Sequence, residues 1–368
     1  MKNNKNVKVV TVLGTRPEII KLSPLIPLLD EKFNHILIHT GQHYDYEMDS
    51  LFFKELQLKQ PSYNLKVGSH SQGKQTAIML ENIEEILILE KPDMVIVQGD
   101  TNSTLSGALA ASKLHIPVAH IEAGCRSFNR YMPEEINRVI ADHISDILFA
   151  SDKKAGECLL KEGIPREKIF LTGSTAFDVC LRNKEFITNS NIDKRLKLTK
   201  NQFILVTLHR AENTNNPQRF KNIIDALNSL SEAIDIVFPI HPRTAKIVKQ
   251  HNIKMNTKIK VTKPLGYIDF IKLMSQCRII FSDSGGVQEE AIVFNKPCLI
   301  PREDSEWMRL IEAGKNFLVG IETQSILKKT REFITDDTKL NQVKAIKYPY
   351  DKNVSKKILA LLSDFLKK

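Results

Sequence analysis

The stretch Asp283-Ser284-Gly285-Gly286-Val287-Gln288-Glu289-Glu290 follows directly on the mostly apolar run Arg278-Ile279-Ile280-Phe281-Ser282. An apolar run that breaks into Ser-Gly-Gly and then turns acidic reads as a strand, a tight turn and the start of a helix. A helix start exposes backbone N–H groups without partners and the positive end of a dipole, which suits a phosphate. Glycines let an anion approach the backbone closely. A carboxylate one turn further on, such as Glu290, can accept hydrogen bonds from ribose hydroxyls. The stretch reads as a seat for a nucleoside diphosphate that is neither a Walker loop nor a dinucleotide fingerprint. A plain Gly-rich turn ahead of a surface helix is the competing reading, and the segment alone leaves both open.

Working outward, β and α patterns alternate along the whole chain. Continuous apolar runs at 7–13, 36–39, 94–97, 118–121, 147–150 and 169–171 form a first set of strands. Runs at 203–208, 236–240, 259–261, 279–281, 297–300 and 317–319 form a second. Such runs, apolar throughout rather than alternating, suit parallel strands covered on both faces. Helical patterns lie between them, including one opened by Pro17 and running to about Leu29, and a small-residue helix over 104–114. Strands alternating with helices predict parallel sheets with right-handed crossovers. A chain of 368 residues exceeds one ordinary core. The expected class is α/β, with two Rossmann-like doubly wound domains facing each other across a cleft. The polar stretch 183–201 is the expected linker, dividing an N-terminal domain (1–182) from a C-terminal one (183–351). Apolar residues at 354, 358, 361, 362 and 365 make one stripe of a final amphipathic helix, assigned within 352–368 to the first domain.

Composition narrows the function classes. No apolar run reaches the roughly 20 residues that span a bilayer, and the polar N-terminus shows no secretory signal. Five widely spaced cysteines without a CxxC pair suggest reduced thiols in the cytoplasm. The formal charge of +10 comes from scattered lysines, not a basic block interleaved with aromatics. That argues against nucleic acid and fits a phosphorylated metabolite as well as it fits a solvated surface.

Ligands of doubly wound sheets bind beyond the carboxyl ends of the strands. The residues delivered there are Gly14-Thr15-Arg16-Pro17-Glu18 with Lys21, Gly41-Gln42-His43, Asp100, Glu122, His209-Arg210, His241-Pro242-Arg243 and Ser284-Gly285-Gly286. Each has a plainer reading. Asp100 can cap the helix behind it. Glu134 and Glu135 can simply meet a helix dipole after Pro133. The histidines can be satisfied by nearby carbonyls, and Arg16 can be a surface ion pair. HExxH, Gly-x-Ser-x-Gly and GxGxxG after the first strand are all absent, and no Asp-x-Asp pair offers to hold a nucleotide-bound metal. The reading therefore includes no metal and no cofactor.

With these residues in view, the chain resembles the non-hydrolysing UDP-N-acetylglucosamine 2-epimerases. Seven motifs occur in the family's order: Gly14-Thr15-Arg16-Pro17-Glu18 with Lys21; Thr40-Gly41-Gln42-His43; Gly99-Asp100-Thr101; His120-Ile121-Glu122-Ala123-Gly124; Pro133-Glu134-Glu135 with Asn137-Arg138; His209-Arg210-Ala211-Glu212-Asn213; and 283–290. The resemblance implies a GT-B arrangement with UDP on the C-terminal domain. Ser284, Gly285 and Gly286 would hold the diphosphate, Glu290 the ribose, and Phe270 would lie near the uracil. Arg16 and His209 would face the phosphates with Lys21 nearby. Asp100, Glu122 and Glu134 match the family's catalytic carboxylates, and His209 joins that set. His43 and Arg138 join the substrate-binding residues through their motifs. Gln42, Arg210 and His241 match positions tied to a second, allosteric UDP-GlcNAc, and a homodimer is implied.

The implied reaction is an epimerisation at C2 of the sugar. That C–H is not beside a carbonyl, so UDP first leaves C1 with its electron pair. The cation that results acidifies C2–H, and carboxylates stabilise the cation and take the proton. A 2-acetamidoglucal and UDP remain, and protonation of the opposite face with re-addition of UDP gives UDP-ManNAc for cell-surface polysaccharide. Two features depart from the usual pattern: Cys125 after Glu-Ala-Gly, and Arg302-Glu303-Asp304-Ser305-Glu306-Trp307 in place of a Thr-Glu-Arg-Pro-Glu run. The second, with Ser127-Phe128-Asn129-Arg130, resembles epimerases of UDP-2,3-diacetamido-2,3-dideoxyglucuronate, whereas the Gly-Thr-Arg-Pro-Glu opening leans toward UDP-GlcNAc. A hydrolysing relative releasing ManNAc, a GT-B glycosyltransferase and a nucleotide-sugar sensor are the other candidates.

Overall fold

The computed structural model describes residues 6–42, 46–184, 186–305, 307–347 and 351–367. His43 lies outside the described residues. The chain divides into two units, one of residues 1–179 with 350–368, the other of residues 180–349.

The N-terminal unit is built on strands β1 (Lys8–Leu13), β2 (Asn34–His39), β3 (Tyr63–Asn64), β4 (Met94–Gln98), β5 (Val118–Ala123), β6 (Ile147–Ala150) and β7 (Ile169–Leu171). They form one parallel sheet in the order β3-β2-β1-β4-β5-β6-β7. The C-terminal unit has β8 (Phe203–Thr207), β9 (Asp235–Pro239), β10 (Ile259–Thr262), β11 (Ile279–Ser282), β12 (Cys298–Ile300) and β13 (Asn316–Leu318). Its parallel order is β10-β9-β8-β11-β12-β13. Both sheets are doubly wound, with order reversing beside β1 and beside β8.

Why the strands read as unbroken apolar runs is visible in β8. Ile204 and Val206 pack on one face with Phe220, Ile223 and Leu227 of the helix Pro217–Leu230. Phe203 and Leu205 pack on the other with Leu273 and Met274 of the helix Tyr267–Gln276 and Ala291 of the helix Gly285–Val293. Every residue of such a strand is core, so alternation disappears.

In the N-terminal unit the helix Asn102–Lys113 lies close on β1 and β4. A Cβ on Gly107 would sit 3.0 Å from Val97 Cγ1 and 3.1 Å from Val12 Cβ, so the small residues of this helix set its approach to the sheet. The final helix Val354–Phe365 belongs to this unit, with Val354, Ile358 and Leu362 buried. Its start is tied down by Ser355 N–H donating to Asp178 Oδ2 at 2.7 Å.

Local details depart from the sequence reading. The helix expected from Pro17 to Leu29 is two helices, Arg16–Leu22 and Ile26–Lys32. Pro24 and Pro27 lack the N–H that an uninterrupted ladder needs there, so Pro27 instead sits at the second helix's start. The short strand β3 carries no apolar run and was not expected. The stretch 183–201 holds a 3-10 turn (Phe186–Asn189) and a short helix (Ile192–Arg195). Among the described residues, no helix is long and apolar enough to cross a membrane.

Candidate active site

In doubly wound sheets the ligand position lies at the carboxyl ends of the strands where strand order reverses. In the N-terminal unit it lies between β1 and β4. The segments that leave those strands, 14–16 and 99–101, are tied together by Glu18. Its Oε2 accepts from Gly14 N (3.0 Å), Thr15 N (2.8 Å) and Thr15 Oγ1 (2.8 Å). Its Oε1 accepts from Thr101 Oγ1 (2.7 Å) and Thr104 Oγ1 (3.3 Å). Burial pushes this carboxyl up to about 7, against the downward pull of the Thr101, Gly14 and Thr15 donors.

Asp100 does not cap the helix behind it. Thr101 is the cap, its Oγ1 accepting from Thr104 N at 3.2 Å. The Asp100 carboxylate is one-third exposed and ion-paired with Arg138. Arg138 also donates from Nη1 to Glu135 Oε2 at 2.9 Å. Glu135 in turn accepts from Ser127 N, Ser127 Oγ and Phe128 N, each at 2.9 Å. The helix Pro133–Ile144 thus uses its two leading carboxylates differently: Glu135 is buried and holds the 127–128 turn, while Glu134 is partly exposed.

Glu122 sits near the end of β5 with φ +70°, a left-handed conformation unusual for a residue with a Cβ. The pairing of β5 with β6 shifts register there, between Ile121 and Ala123. Its Oε2 accepts from Lys21 Nζ (2.5 Å) and Gln98 Nε2 (2.7 Å). Behind it a buried network fixes the strand ends. His120 bridges Asp142 Oδ1 (2.7 Å) and Gly99 O (2.8 Å), and Asp142 Oδ2 takes Gly124 N (3.1 Å) and Arg126 Nη2 (2.7 Å). Burial raises the Asp142 carboxyl, but the neighbouring His120 and Arg126 outweigh it and hold it below the usual range.

Gln42 is turned onto the same helix start, its Oε1 accepting from Ser103 N (3.0 Å) and Ser103 Oγ (2.8 Å). Arg16, at the start of its helix, is half-buried. Lys21, expected near the phosphates, is placed on Glu122.

In the C-terminal unit the reversal lies between β8 and β11. Here Asp283, fully buried, plays the joining part. It accepts from His209 N (3.1 Å to Oδ1), Arg210 N (3.1 Å) and Asn213 Nδ2 (3.0 Å). The His209 side chain is 41% exposed, and its ring lies 5.9 Å from that of His241. His241 caps the helix Pro242–Gln250, its Nδ1 accepting from Arg243 N at 3.2 Å. Ser284 is the N-cap residue of the helix Gly285–Val293. A Cβ on Gly286 would meet nothing within 4 Å. Glu290, one turn on, accepts from Tyr267 OH at 3.1 Å. Burial, then Cys180 and Glu290, push the Tyr267 hydroxyl well above its ordinary value, keeping it a donor. Phe270 packs partly buried beside this core.

Sequence reading named Glu18 and Glu135 within motifs but not as partners of the expected residues, and it missed Gln98 and Tyr267. Only Glu18 left a signal, the capping-box spacing Thr15-x-x-Glu18.

Two doubly wound α/β units, one with fixed carboxylates at its strand ends and the other with a Gly-rich helix start, an exposed histidine and a guanidinium, fit an enzyme of the nucleotide-sugar class. A family model described as UDP-N-acetylglucosamine 2-epimerase matches residues 29–363. A UDP-N-acetylglucosamine 2-epimerase of Methanocaldococcus jannaschii is 48% identical over 332 residues, covering 88% of this chain and 91% of the relative. The chain belongs to the UDP-N-acetylglucosamine 2-epimerase family, a family of isomerases. A crystal structure of the M. jannaschii UDP-GlcNAc 2-epimerase in complex with UDP-GlcNAc and UDP superposes with a TM-score of 0.90 at 44% identity, covering 97% of this chain and all of that one. The UDP-2,3-diacetamido-2,3-dideoxy-D-glucuronate 2-epimerase of Pseudomonas aeruginosa is 41% identical, covering 91% of this chain and 95% of the relative.

Proposed function

We propose that the protein interconverts UDP-GlcNAc and UDP-ManNAc by elimination and re-addition of UDP. The observation that carries this reading is the pair of carboxylates at the strand ends of the N-terminal unit, Asp100 on Arg138 and Glu122 on Lys21 and Gln98. Both are oriented by donors, as acceptors waiting for positive charge and a proton must be. In this reading Ser284, Gly285, Gly286, His209 and Arg16 attend the diphosphate, Glu290 the ribose and Phe270 the uracil. UDP departs from C1 with the bonding electrons. Asp100, Glu122 and Glu134 stabilise the oxocarbenium ion, and one of them takes the C2 proton to give 2-acetamidoglucal and UDP. Protonation of C2 from the other face and return of UDP to C1 balance the sequence, with no net redox change. In this reading the enzyme works in the cytoplasm, as a homodimer serving cell-surface polysaccharide, and Gln42, Arg210 and His241 would answer to a second UDP-GlcNAc.

The test is incubation with UDP-GlcNAc in heavy water, followed by proton NMR. Expected are deuterium at C2 and a growing UDP-ManNAc signal. Free ManNAc with UDP would point to hydrolysis instead, and an unchanged nucleotide sugar would sink the reading for this substrate. The 41% identity to the diacetamido-uronate epimerase supports that compound as a second substrate to offer.

A further inference from the structure

Ser305 and Trp307 lie against the first turns of the helix Gly285–Val293. Ser305 Oγ donates to Gln288 Oε1 at 2.6 Å and accepts from Trp307 N at 3.1 Å. The Arg309 guanidinium stands 4.8 Å from the centre of the Trp307 ring and reaches Glu289 Oε1 at 3.4 Å. Arg302, buried, is ion-paired with Glu212, in the segment after β8 that also carries His209 and Arg210. The Trp307 indole is 5% exposed and held by these contacts against the helix start.

How closely its nitrogen approaches is set by Gly285. A Cβ on that residue would lie 3.0 Å from Trp307 Nε1 and 3.6 Å from Arg210 Nη2. The indole nitrogen and one arm of the guanidinium therefore both lie beside the first residue of the helix, whose leading backbone N–H groups have no partner in the helix itself. The two glycines differ in purpose. Gly285 makes room for Trp307, whereas Gly286, with nothing within 4 Å of its Cβ position, leaves the approach clear.

We propose that Trp307 is a further binding residue of the diphosphate seat, its Nε1–H donating to a phosphate oxygen of UDP beside Arg210. An indole nitrogen can only donate, and an anion at a helix N-terminus is an acceptor suited to it. The assignment rests on the reading of Ser284-Gly285-Gly286 as that seat.

Trp307 is the one tryptophan of the chain, so its emission reports on the seat without a label. UDP and uridine would be titrated into the parent, Trp307→Phe and Gly286→Val, by calorimetry and, where the tryptophan remains, by its emission. The expected result is a saturable change of emission with UDP in the parent. Trp307→Phe keeps an aromatic ring under Arg309 but loses the N–H. It should bind UDP about tenfold more weakly and uridine as before, since one charge-assisted hydrogen bond is lost. Gly286→Val should abolish UDP binding. Unaltered UDP affinity in Trp307→Phe, or an equal loss for uridine, overturns the Trp307 assignment while Gly286→Val still tests the seat. If Gly286→Val binds UDP like the parent, the seat itself has been misread.

Discussion

Asp100 is available for chemistry because Thr101 does the capping. The carboxylate stays one-third exposed, with Arg138 as its fixed partner. Asp100→Asn keeps the shape and removes a proton acceptor, so turnover should fall by about 10²- to 10⁴-fold. UDP affinity, measured by calorimetry, should remain within about twofold, since the residues proposed for the diphosphate are elsewhere in the chain. A matching loss of UDP affinity would make Asp100 structural. Glu18 carries a different test. Its folded-state value of about 7 lies above the ordinary 4.5, so between those values the folded protein holds a proton that the unfolded chain has lost. Stability from this group is therefore full below pH 4.5 and disappears as pH rises through 7. Relative to Glu18→Gln, which does not titrate, the parent should lose on the order of 3 kcal/mol across that window. Urea unfolding of both proteins at several pH values checks the sign, and a parallel pair of curves would refute it. The proton has one good place, Oε1, because Thr101 and Thr104 hydroxyls can turn to accept whereas the N–H groups on Oε2 cannot. At this scale the sequence named the expected residues but not their partners. Glu134 and Glu135 are adjacent in the same first turn, and nothing in their spacing tells which one turns inward to Ser127.

At the scale of elements, the strands were legible because both sheet faces are covered, and a short, continuous apolar run bounded by turn residues suits little else in a chain of this composition. The loops at β1, β4, β8 and β11 were legible for the same reason: where a buried run stops at glycine or a charge, the strand has reached its carboxyl end. What was not legible was the break in the helix beginning at Pro17, since a helical apolar pattern continues across Ser23-Pro24-Leu25 although the hydrogen-bond ladder does not. Short β3, without apolar periodicity, pairs with β2 and is anchored by Tyr63, whose hydroxyl donates to Glu90 Oε1 at 2.5 Å. The helix Asn102–Lys113 was expected from its small residues, and its close approach is what those residues are for. Gly107→Val forces a branched side chain into Val12 and Val97, already at 3.0–3.2 Å from a bare Cβ. It should cost about 2 to 3 kcal/mol through overpacking, read as a lower urea midpoint with an unchanged slope. An unshifted midpoint would mean that the helix can back away from the sheet at no cost, and that the small residues serve something else.

At the scale of the molecule, each unit has its own sheet and its own buried clusters, and the last helix returns to the first unit. That this helix docks was legible in the stripe at 354, 358 and 362, three positions whose side chains are fully buried. A single apolar stripe says that a helix docks, but not on which sheet. The anchor that decides it, Ser355 N–H on Asp178, joins residues 177 positions apart and leaves no local signal. The unit boundary was equally hard to place. The polar stretch 183–201 looks like a linker because it lacks apolar periodicity, yet it folds into turns, and the units divide at Val179 and Cys180, within the helix Thr175–Asn183. Ile358→Ala tests the assignment of the last helix directly. Removing a fully buried isoleucine should cost about 2 to 5 kcal/mol, and the loss should fall where the helix belongs. Amide exchange should therefore quicken across β1 and β4 while β8 and β11 keep their protection. The same variant should bind UDP as the parent does, because the residues assigned to the diphosphate from β8 and β11 keep their frame. If β8 and β11 lose protection as fast as β1, the last helix does not stabilise the first unit alone.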